Sequence, residues 1–452
     1  MRAMRKPTPT LLAAAMFAAL LCTTAPDAHA QFNAVAPTPS TVRPAVDAAY
    51  ERLSAAPAVR QVLDALKADH ERSIEDLIAL TEIEAPPFKE QQRAAAFLAK
   101  LKALGLDGRI DSEGNVVALR KGSGGGPKLL ITAHLDTVFP AGTDVKVKQR
   151  DGRLHAPGIA DDTRGLTVLL SWLRVLEAQR LRTVGDLFIV ATVGEEELGN
   201  LRGIKRIFAD HRDIDGMVGL EPAPDGAITV LGTGSHRHEV TFKGPGGHSY
   251  IAFGQAPSAI HGLGRAIAKI SELRPPSTPK TTFTVGTIGG GTSVNTIAPE
   301  ARMAIDIRSE SMEHMLALEK SILAAVDEAA VDENKRWGLS SLSASHKLIG
   351  DRPAGRTPAD GPIVEAAIRS NTVFGMKSVL IGGSTDANVP MSLGIPAIVI
   401  GGGGKTSGFH TTAESIDLTD AWRGAQMSLL TVLGLVGVQG VSEPLLPRRS
   451  AQ

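Results

Sequence analysis

Two short apolar runs, each ending in a polar cluster, constrain the fold of this chain more than any other feature. Residues 129–133 (LLITA) lead directly into 134–136 (HLD). Residues 187–193 (LFIVATV) likewise lead into 194–197 (GEEE), and the intervening stretch 165–180 has helical spacing. Short runs rich in β-branched residues, separated by a helix, are typical of parallel strands joined by a crossover. The pattern therefore predicts an α/β fold with a mostly parallel sheet.

Five side chains with metal-ligating chemistry each follow an apolar run or a tight turn: His134, Asp161, Glu196, Glu221 and His410. In parallel sheets, ligands bind beyond the carboxyl ends of the strands, where these residues are expected. Any one of them alone is more often a structural or solvated side chain. Together, their nitrogen and oxygen donors suit zinc or a similar divalent ion. Because a catalytic zinc keeps about three protein ligands, the set predicts two ions bridged by one carboxylate, with Asp161 as the candidate.

Chain length and charge limit the other classes of function. A chain of 452 residues exceeds the usual size of a single domain, so two domains are expected. With 48 basic and 48 acidic residues, the formal net charge is zero, so bulk charge indicates neither a nucleic-acid partner nor a membrane surface. The sequence has no His-Glu-x-x-His segment and no Gly-x-Ser-x-Gly elbow, which argues against those classes of hydrolase.

The first 30 residues have the features of a cleaved signal peptide. Arg2, Arg5 and Lys6 are basic, residues 11–22 are apolar, and 28–30 (AHA) supply the small residues of a cleavage site. The apolar run is too short to span a bilayer comfortably, so export to the periplasm or as a secreted protein is predicted, without membrane contact after cleavage. The only cysteine lies inside this segment, so the mature chain is expected to contain no disulfide.

The pattern of apolar and polar residues changes near His236, where a separate unit is predicted. Alternating and helical segments follow one another at 239–243, 256–273, 281–288, 301–308 and 313–330. This order of strand, helix, two strands and helix indicates a compact two-layer α+β unit. Strand patterning resumes afterwards, so the unit is interpreted as an insertion at 236–347 into a catalytic domain formed by 31–235 and 348–452. His236 and His238, at strand spacing, are interpreted as the start of this unit rather than as a third metal site.

Six short segments resemble a known enzyme family in their order and separation: 134–138 (HLDTV), 158–162 (GIADD), 194–199 (GEEELG), 221–222 (EP), 247–249 (GHS) and 409–410 (FH). Their combination resembles the co-catalytic zinc exopeptidases that include bacterial glutamate carboxypeptidase, the tripeptidase called peptidase T, and aminoacylase. The resemblance extends over residues 68–434. It implies a di-metal hydrolase domain with an inserted α+β lid or dimerisation domain.

The resemblance also implies two divalent metal ions per chain, zinc first, with cobalt or manganese as alternatives. One ion would be held by His134, Asp161 and Glu221, and the other by Asp161, Glu196 and His410. Glu195 would be the general base that takes a proton from water and passes it to the leaving amine. Asp136 would accept a hydrogen bond from His134 and fix its tautomer. The peptide bond between Asp161 and Asp162 would be cis.

The inserted unit resembles the lid of that family, which in dimeric relatives also joins two subunits. His248 would help to stabilise the oxyanion by reaching the active site of the partner in a homodimer. Without the family resemblance, the flanking residues favour a histidine in a turn. Asn295 and Arg308 would contact the substrate, and Arg308 suits a terminal carboxylate, although an exposed arginine at a strand end is the alternative. Gly383 would lie in a backbone loop near the substrate, with Ser384 where relatives often carry glycine.

The sequence as a whole predicts an exported metallopeptidase, a protease that cleaves a peptide bond near the end of a small peptide. An exopeptidase of the tripeptidase or carboxypeptidase type is the leading interpretation. The alternative within enzymes is an N-acyl amino acid deacylase, because the same site serves both reactions. A non-catalytic peptide-binding relative is the alternative outside enzymes, and the presence of Glu195 together with all five ligands weighs against it.

Overall fold

The computed structural model describes residues 34–449. The predicted signal peptide lies outside these residues. No helix within 34–449 is long and apolar enough to cross a membrane.

Proline or a capping side chain marks the start of several helices. The helices α1, α2 and α9 carry proline in the first turn, where its fixed φ suits the helix, and a side chain caps α5 and α8. The described residues form eleven α-helices: Pro44–Ala55 (α1), Pro57–Ala68 (α2), His70–Thr81 (α3), Gln91–Ala103 (α4), Thr163–Ala178 (α5), Arg202–Asp210 (α6), Ala259–Ser271 (α7), Met312–Trp337 (α8), Pro362–Val373 (α9), Asn388–Ser392 (α10) and Trp422–Val436 (α11).

Nineteen strands form within the same residues and build four sheets. They are Gly108–Ile110 (β1), Val116–Arg120 (β2), Lys128–His134 (β3), Lys148–Arg150 (β4), Arg153–His155 (β5), Asp186–Thr192 (β6), Gly216–Glu221 (β7), Ala227–Gly232 (β8), Gly234–Lys243 (β9), Gly247–His248 (β10), Thr281–Gly290 (β11), Thr296–Ile297 (β12), Glu300–Ser309 (β13), Ser343–Arg352 (β14), Gly355–Arg356 (β15), Val379–Gly383 (β16), Ala397–Gly401 (β17), Lys405–Ser407 (β18) and Ser415–Asp417 (β19).

The largest sheet has nine strands in the order β1-β2-β6-β3-β7-β17-β8-β15, with β16 paired to β8. Its four middle strands, β6, β3, β7 and β17, run parallel to one another. These strands are buried along almost their whole length, as expected when helices cover both faces of a parallel sheet. The prediction of an α/β fold around a mostly parallel sheet is confirmed.

A separate antiparallel sheet, β11-β13-β9-β14, covers the stretch predicted to be inserted and extends a few residues beyond it at both ends. Burial alternates along β9 and β13, because α7 and α8 cover one face of the sheet and form with it a core of their own. The predicted limits at 236 and 347 fall inside β9 and β14. The last strand, β14, is not among the segments that the sequence pattern indicates, and it pairs with β9 at the edge of this sheet. The four-stranded sheet with α7 and α8 is called the lid below.

Candidate metal centre

Two of the predicted ligands end neighbouring parallel strands. His134 is the last residue of β3, and Glu221 is the last residue of β7. Parallel strands end at the same edge of a sheet, so the two side chains meet there. His134 Nε2 lies 3.6 Å from Glu221 Oε2, and the His134 side chain is buried.

Asp161 connects the two halves of the centre. Its Oδ1 is 2.9 Å from His134 Nε2, and its Oδ2 is 3.3 Å from His410 Nε2. The carboxylate of the following residue, Asp162, fixes the turn. It accepts hydrogen bonds from the backbone N–H groups of Gly165 and His134, each at 3.0 Å. The Asp161–Asp162 peptide bond is cis. Each oxygen of Asp161 therefore faces a different histidine.

Glu196 and His410 complete a second set of ligands. Glu196 follows β6, and its Oε1 lies 3.2 Å from His410 Nε2. Within each set, the potential ligand atoms lie within 4.8 Å of one another. The five predicted ligands thus form two triads that share Asp161: His134, Asp161 and Glu221 in one, and Asp161, Glu196 and His410 in the other.

The electrostatics of the centre favour bound cations. Burial raises the pKa of Glu196 to about 8 and that of Glu221 to about 7, and the nearby charges of Asp161 and Glu195 add to both shifts. Hydrogen bonds to Asp161 and Glu196 raise the pKa of His410 to about 10. Without another positive charge nearby, protons would bind to these closely spaced carboxylates and imidazoles. A metal ion at such a site takes the place of the protons. The histidine and carboxylate donors of each triad fit a divalent ion such as zinc.

Asp136 is placed differently from the expectation. The Nδ1 atom of His134 lies 2.9 Å from the backbone carbonyl oxygen of Asp136, whereas the carboxylate is 3.8 Å away. The buried carboxylate instead accepts the backbone N–H groups of Glu195 at 3.1 Å and Glu196 at 2.8 Å. The main chain of Asp136 therefore orients the imidazole, while its side chain holds the loop with the candidate base.

The candidate base, Glu195, is buried beside the first triad and is held by an arginine. Arg352 donates from Nη1 to Glu195 Oε1 at 3.2 Å, and from Nη2 to the backbone carbonyl of the same residue. Arg352 is the last residue of β14, so the lid sheet reaches the metal centre. The sequence does not point to Arg352, because it ends a strand that the pattern does not indicate.

Glu414 is a second residue of the centre that the sequence does not indicate. Its carboxylate accepts the backbone N–H groups of Gly158 at 2.9 Å, Ala160 at 2.8 Å and Asp161 at 3.0 Å. Burial, with the charge of Asp161, raises the pKa of Glu414 to about 7. Glu414 thus fixes the turn that presents Asp161, and its only sequence signal is a position four residues after His410.

The metal centre opens onto a cleft of about 810 Å³. Arg308 lies in the lining of this cleft, and so do Arg237 and Arg352. Gly383 is not in this lining, whereas the next residue, Ser384, is. Among the lid residues expected to contact substrate, Arg308 is thus the one that the chain itself brings to the centre.

His248 and Asn295 lie beside each other, but not in the lining of this cleft. His248 is in β10, which pairs with β12, and the backbone N–H of Ser249 donates to the carbonyl of Asn295 at 3.0 Å. Both His248 and Asn295 are exposed. Within residues 34–449, a single chain therefore does not bring these two side chains to the metal centre.

Known proteins share both the sequence pattern and the fold. The pattern of Peptidase family M20/M25/M40 matches residues 130–433, about two thirds of the chain. The protein YqjE of Bacillus subtilis (strain 168) is 27% identical over 376 residues, which cover 79% of this chain and 97% of YqjE. Acetylornithine deacetylase of Myxococcus xanthus is 27% identical over 350 residues, which cover 73% of this chain and 86% of the deacetylase.

Solved structures of similar fold include a peptidase with two metals. Aminopeptidase PepT from Bacillus cereus ATCC 10987 superimposes with a TM-score of 0.66 and 25% identity, covering 80% of this chain and 98% of PepT. The Bacillus subtilis YXEP protein, a dinuclear metal-binding peptidase from the M20 family, superimposes with a TM-score of 0.60 and 19% identity, covering 81% of this chain and 98% of YXEP. The chain therefore belongs to Peptidase family M20/M25/M40, and it is a hydrolase that acts on peptide or amide bonds.

Proposed function

We propose that this hydrolase is a dinuclear zinc exopeptidase of the tripeptidase or carboxypeptidase type, which cleaves a peptide bond near the end of a small peptide. The observation that carries the proposal is the pair of triads sharing Asp161 at the wall of an open cleft of about 810 Å³. Glu195, the candidate base, lines the same cleft. A cleft of this size accommodates a peptide of a few residues.

The residues around the centre supply both proton transfers of peptide hydrolysis. When bound, two divalent ions lower the pKa of a water molecule and polarise the scissile carbonyl. Glu195 accepts a proton from the attacking water as the C–O bond forms, and delivers it to the amine nitrogen as the C–N bond breaks. Arg352 and Asp136 hold the side chain and the backbone of Glu195 for both transfers.

Arginines in the cleft support recognition of a substrate carboxylate. Arg308 is 42% exposed, and its Nε contacts Asp306 at 2.6 Å, which orients the guanidinium. Arg237, on the neighbouring strand, contacts the other oxygen of Asp306 at 3.1 Å. A guanidinium forms two parallel hydrogen bonds with a carboxylate, and this pairing would select a peptide by its free carboxyl end.

A homodimer would bring His248 to the metal centre. His248 is exposed, and the turn that follows it includes Tyr250, Ile251 and Phe253, which are 85%, 71% and 68% exposed. Clustered exposed apolar side chains are a common feature of protein interfaces. The edge strand β11 is also exposed over most of its length, so it offers unpaired backbone groups to a second copy. In such a dimer, the imidazole would stabilise the developing oxyanion of the partner's substrate.

Export is the proposed cellular context. The basic start, apolar run and small residues within the first 30 positions support a cleaved signal peptide. Detection of the mature N-terminus near residue 31 in a cell-envelope or culture fraction would test this localisation.

Deacylation of N-acyl amino acids is the second candidate, and one comparison favours it. Acetylornithine deacetylase of Myxococcus xanthus matches 73% of this chain. An N-acyl amino acid presents the same scissile amide and the same free carboxylate to the centre and to Arg308. The two activities therefore differ in the group that occupies the cleft on the acyl side.

A panel of di- and tripeptides with free or blocked termini, together with N-acetyl and N-succinyl amino acids, tests the proposal. The zinc-loaded protein is expected to cleave peptides with free carboxyl ends and to lose this activity when the carboxyl end is amidated. Glu195→Gln is the matched control for contaminating peptidases. Faster cleavage of N-acyl amino acids would select the deacylase, and cleavage of carboxyl-blocked peptides alone would overturn the proposed recognition of the carboxylate.

A further inference from the structure

The lid holds a second cluster of histidines and a carboxylate, outside the lining of the cleft. His236 and His238 lie on one face of β9, because side chains alternate along a strand, and they are 7% and 4% exposed. Glu319 reaches them from α8, with Oε1 3.0 Å from His236 Nδ1 and 2.5 Å from His238 Nε2. One carboxylate oxygen thus faces two imidazole nitrogens, all within 4.8 Å. These three residues are called the lid cluster.

We propose that the lid cluster binds a further divalent ion of the zinc class. Two imidazoles and one carboxylate form a three-ligand set that zinc accepts, with a water molecule in the remaining position. Asp351 supports this set from β14, since its Oδ1 lies 3.3 Å from His236 Nε2, the nitrogen that faces away from Glu319. A ligating histidine commonly donates its second N–H to a carboxylate in this way.

Hydrogen bonds among the described residues do not satisfy the lid cluster. In this part of the chain, the Nδ1 atom of His236 is buried without a hydrogen-bond partner, although Glu319 Oε1 lies 3.0 Å from it, whereas Nε2 of His238 contacts the same oxygen. Buried polar atoms are nearly always paired, with protein, with water or with an ion. The competing occupant is a proton, because hydrogen bonding to Asp351 and the charge of Glu319 raise the pKa of His236. An ion would instead use the lone pair of His236 Nδ1.

A metal ion in the lid cluster would position two arginines of the cleft. Arg237 lies between the two histidines on the opposite face of β9, and its Nη1 donates to the carbonyl of Glu197 at 2.7 Å. Arg352 follows Asp351 directly and contacts Glu195. Fixing β9 against α8 and β14 would therefore hold both guanidiniums against the loop of the base. The role is positioning, and it does not depend on which substrate the enzyme cleaves.

Elemental analysis of the purified, zinc-loaded full chain tests the proposal after dialysis against metal-free buffer. Glu319→Gln and His238→Asn should each lose one zinc per chain relative to the parent, whatever the zinc content of the metal centre. His346→Asn is the matched control, because this histidine is exposed and its ring centre is 5.9 Å from that of His238. Glu319→Gln and His238→Asn should also lower kcat more than they raise KM, because Arg352 holds the base Glu195, and His346→Asn should leave both quantities unchanged.

An anomalous scattering map of crystals of the parent, recorded at the zinc absorption edge, keeps the proposal testable if the variants fold poorly. A peak between His236, His238 and Glu319 is expected, and it should persist in His410→Ala even if that variant loses zinc from the metal centre. Equal zinc content in the parent and in a folded Glu319→Gln variant would overturn the proposal. The absence of a peak at the lid cluster in zinc-loaded crystals would also overturn the proposal. It would mean that a proton, and no metal ion, is bound between these side chains.

Discussion

The metal centre and the lid cluster are built from the same kinds of side chain, histidines and carboxylates, in different surroundings. Ligands of the metal centre follow several different strands, and His410, with a 56% exposed side chain, faces the cleft. The lid cluster takes both histidines from a single strand and its carboxylate from α8, and its three residues do not line the cleft. Glu195, the candidate base, lies beside His134 and Glu196 of the metal centre, whereas Asp351 contacts a histidine of the lid cluster.

Ligand type alone therefore does not separate a catalytic metal site from a structural one. A catalytic ion needs an open coordination position and a base within reach of the water that fills it. The sheet edge provides both, because loops after parallel strands leave space between them. A strand packed against a helix does not leave such space, so an ion there would bind the two elements together.

The largest expected effect is that of Glu195→Gln on turnover. The glutamine keeps the size of the side chain but cannot accept the proton, so kcat should fall about 10²–10⁴-fold while metal content stays unchanged. Steady-state kinetics with elemental analysis measures both quantities. Glu197→Gln, which changes an exposed carboxylate in the same cleft, should remain active. A loss of zinc in Glu195→Gln would assign this residue to the ligands instead.

His248→Ala should lower kcat about 10²–10³-fold at unchanged metal content, since it removes a group that stabilises the oxyanion. Mixing it with Glu195→Gln should restore about a quarter of the parental activity in randomly exchanged dimers, because one site in each mixed dimer is complete. Sedimentation as a monomer, or no recovery after subunit exchange, would contradict action across a dimer.

His410→Ala should remove one ion of the metal centre preferentially. Its triad then keeps only Asp161 and Glu196, whereas the other triad is intact. Zinc per chain, measured after dialysis, should therefore fall by about one. Equal loss of both ions from the centre would show that the two sites bind as a unit.

Glu414→Ala should weaken zinc binding at the metal centre about 10–100-fold, the usual effect of removing a group that orients a ligand. The substitution frees three backbone N–H groups of the turn that presents Asp161. Competition with a chromogenic chelator measures the affinity. The lid cluster contains no part of this turn, so zinc affinity should fall at the metal centre and stay unchanged at the lid cluster. An equal fall in affinity at both would indicate general unfolding.

The smallest expected effect is that of Arg308→Lys, which replaces a planar fork by a single ammonium. KM for peptides with a free carboxyl end should rise roughly tenfold, equivalent to about 1.4 kcal/mol of lost binding. Amidated peptides, which lack the charged partner, provide the matched control and should show little change. An equal rise in KM for both substrate sets would place the carboxylate elsewhere in the cleft.

The large sheet and the polar residues at its edge follow from local sequence patterns. Apolar runs of five to seven residues with β-branched side chains are shorter than most helices and favour buried strands, and the polar residues that follow then emerge at the sheet edge. This local rule was sufficient to predict the α/β fold and to select the five side chains that form the two triads. Family resemblance then supplied roles that local patterns do not carry, such as the proton transfer by Glu195.

The distant residues that support this edge become visible only once the chain is folded. Arg352 reaches Glu195 across 157 positions, and Glu414 reaches Asp161 across 253. Neither follows a local pattern, because these contacts depend on how β14 and the loop before β19 pack. The same holds for His236 and His238, which on strand spacing alone marked the start of the lid. Glu319, on a helix 81 residues beyond His238, is what turns this pair into a three-ligand cluster, because folding brings α8 against β9.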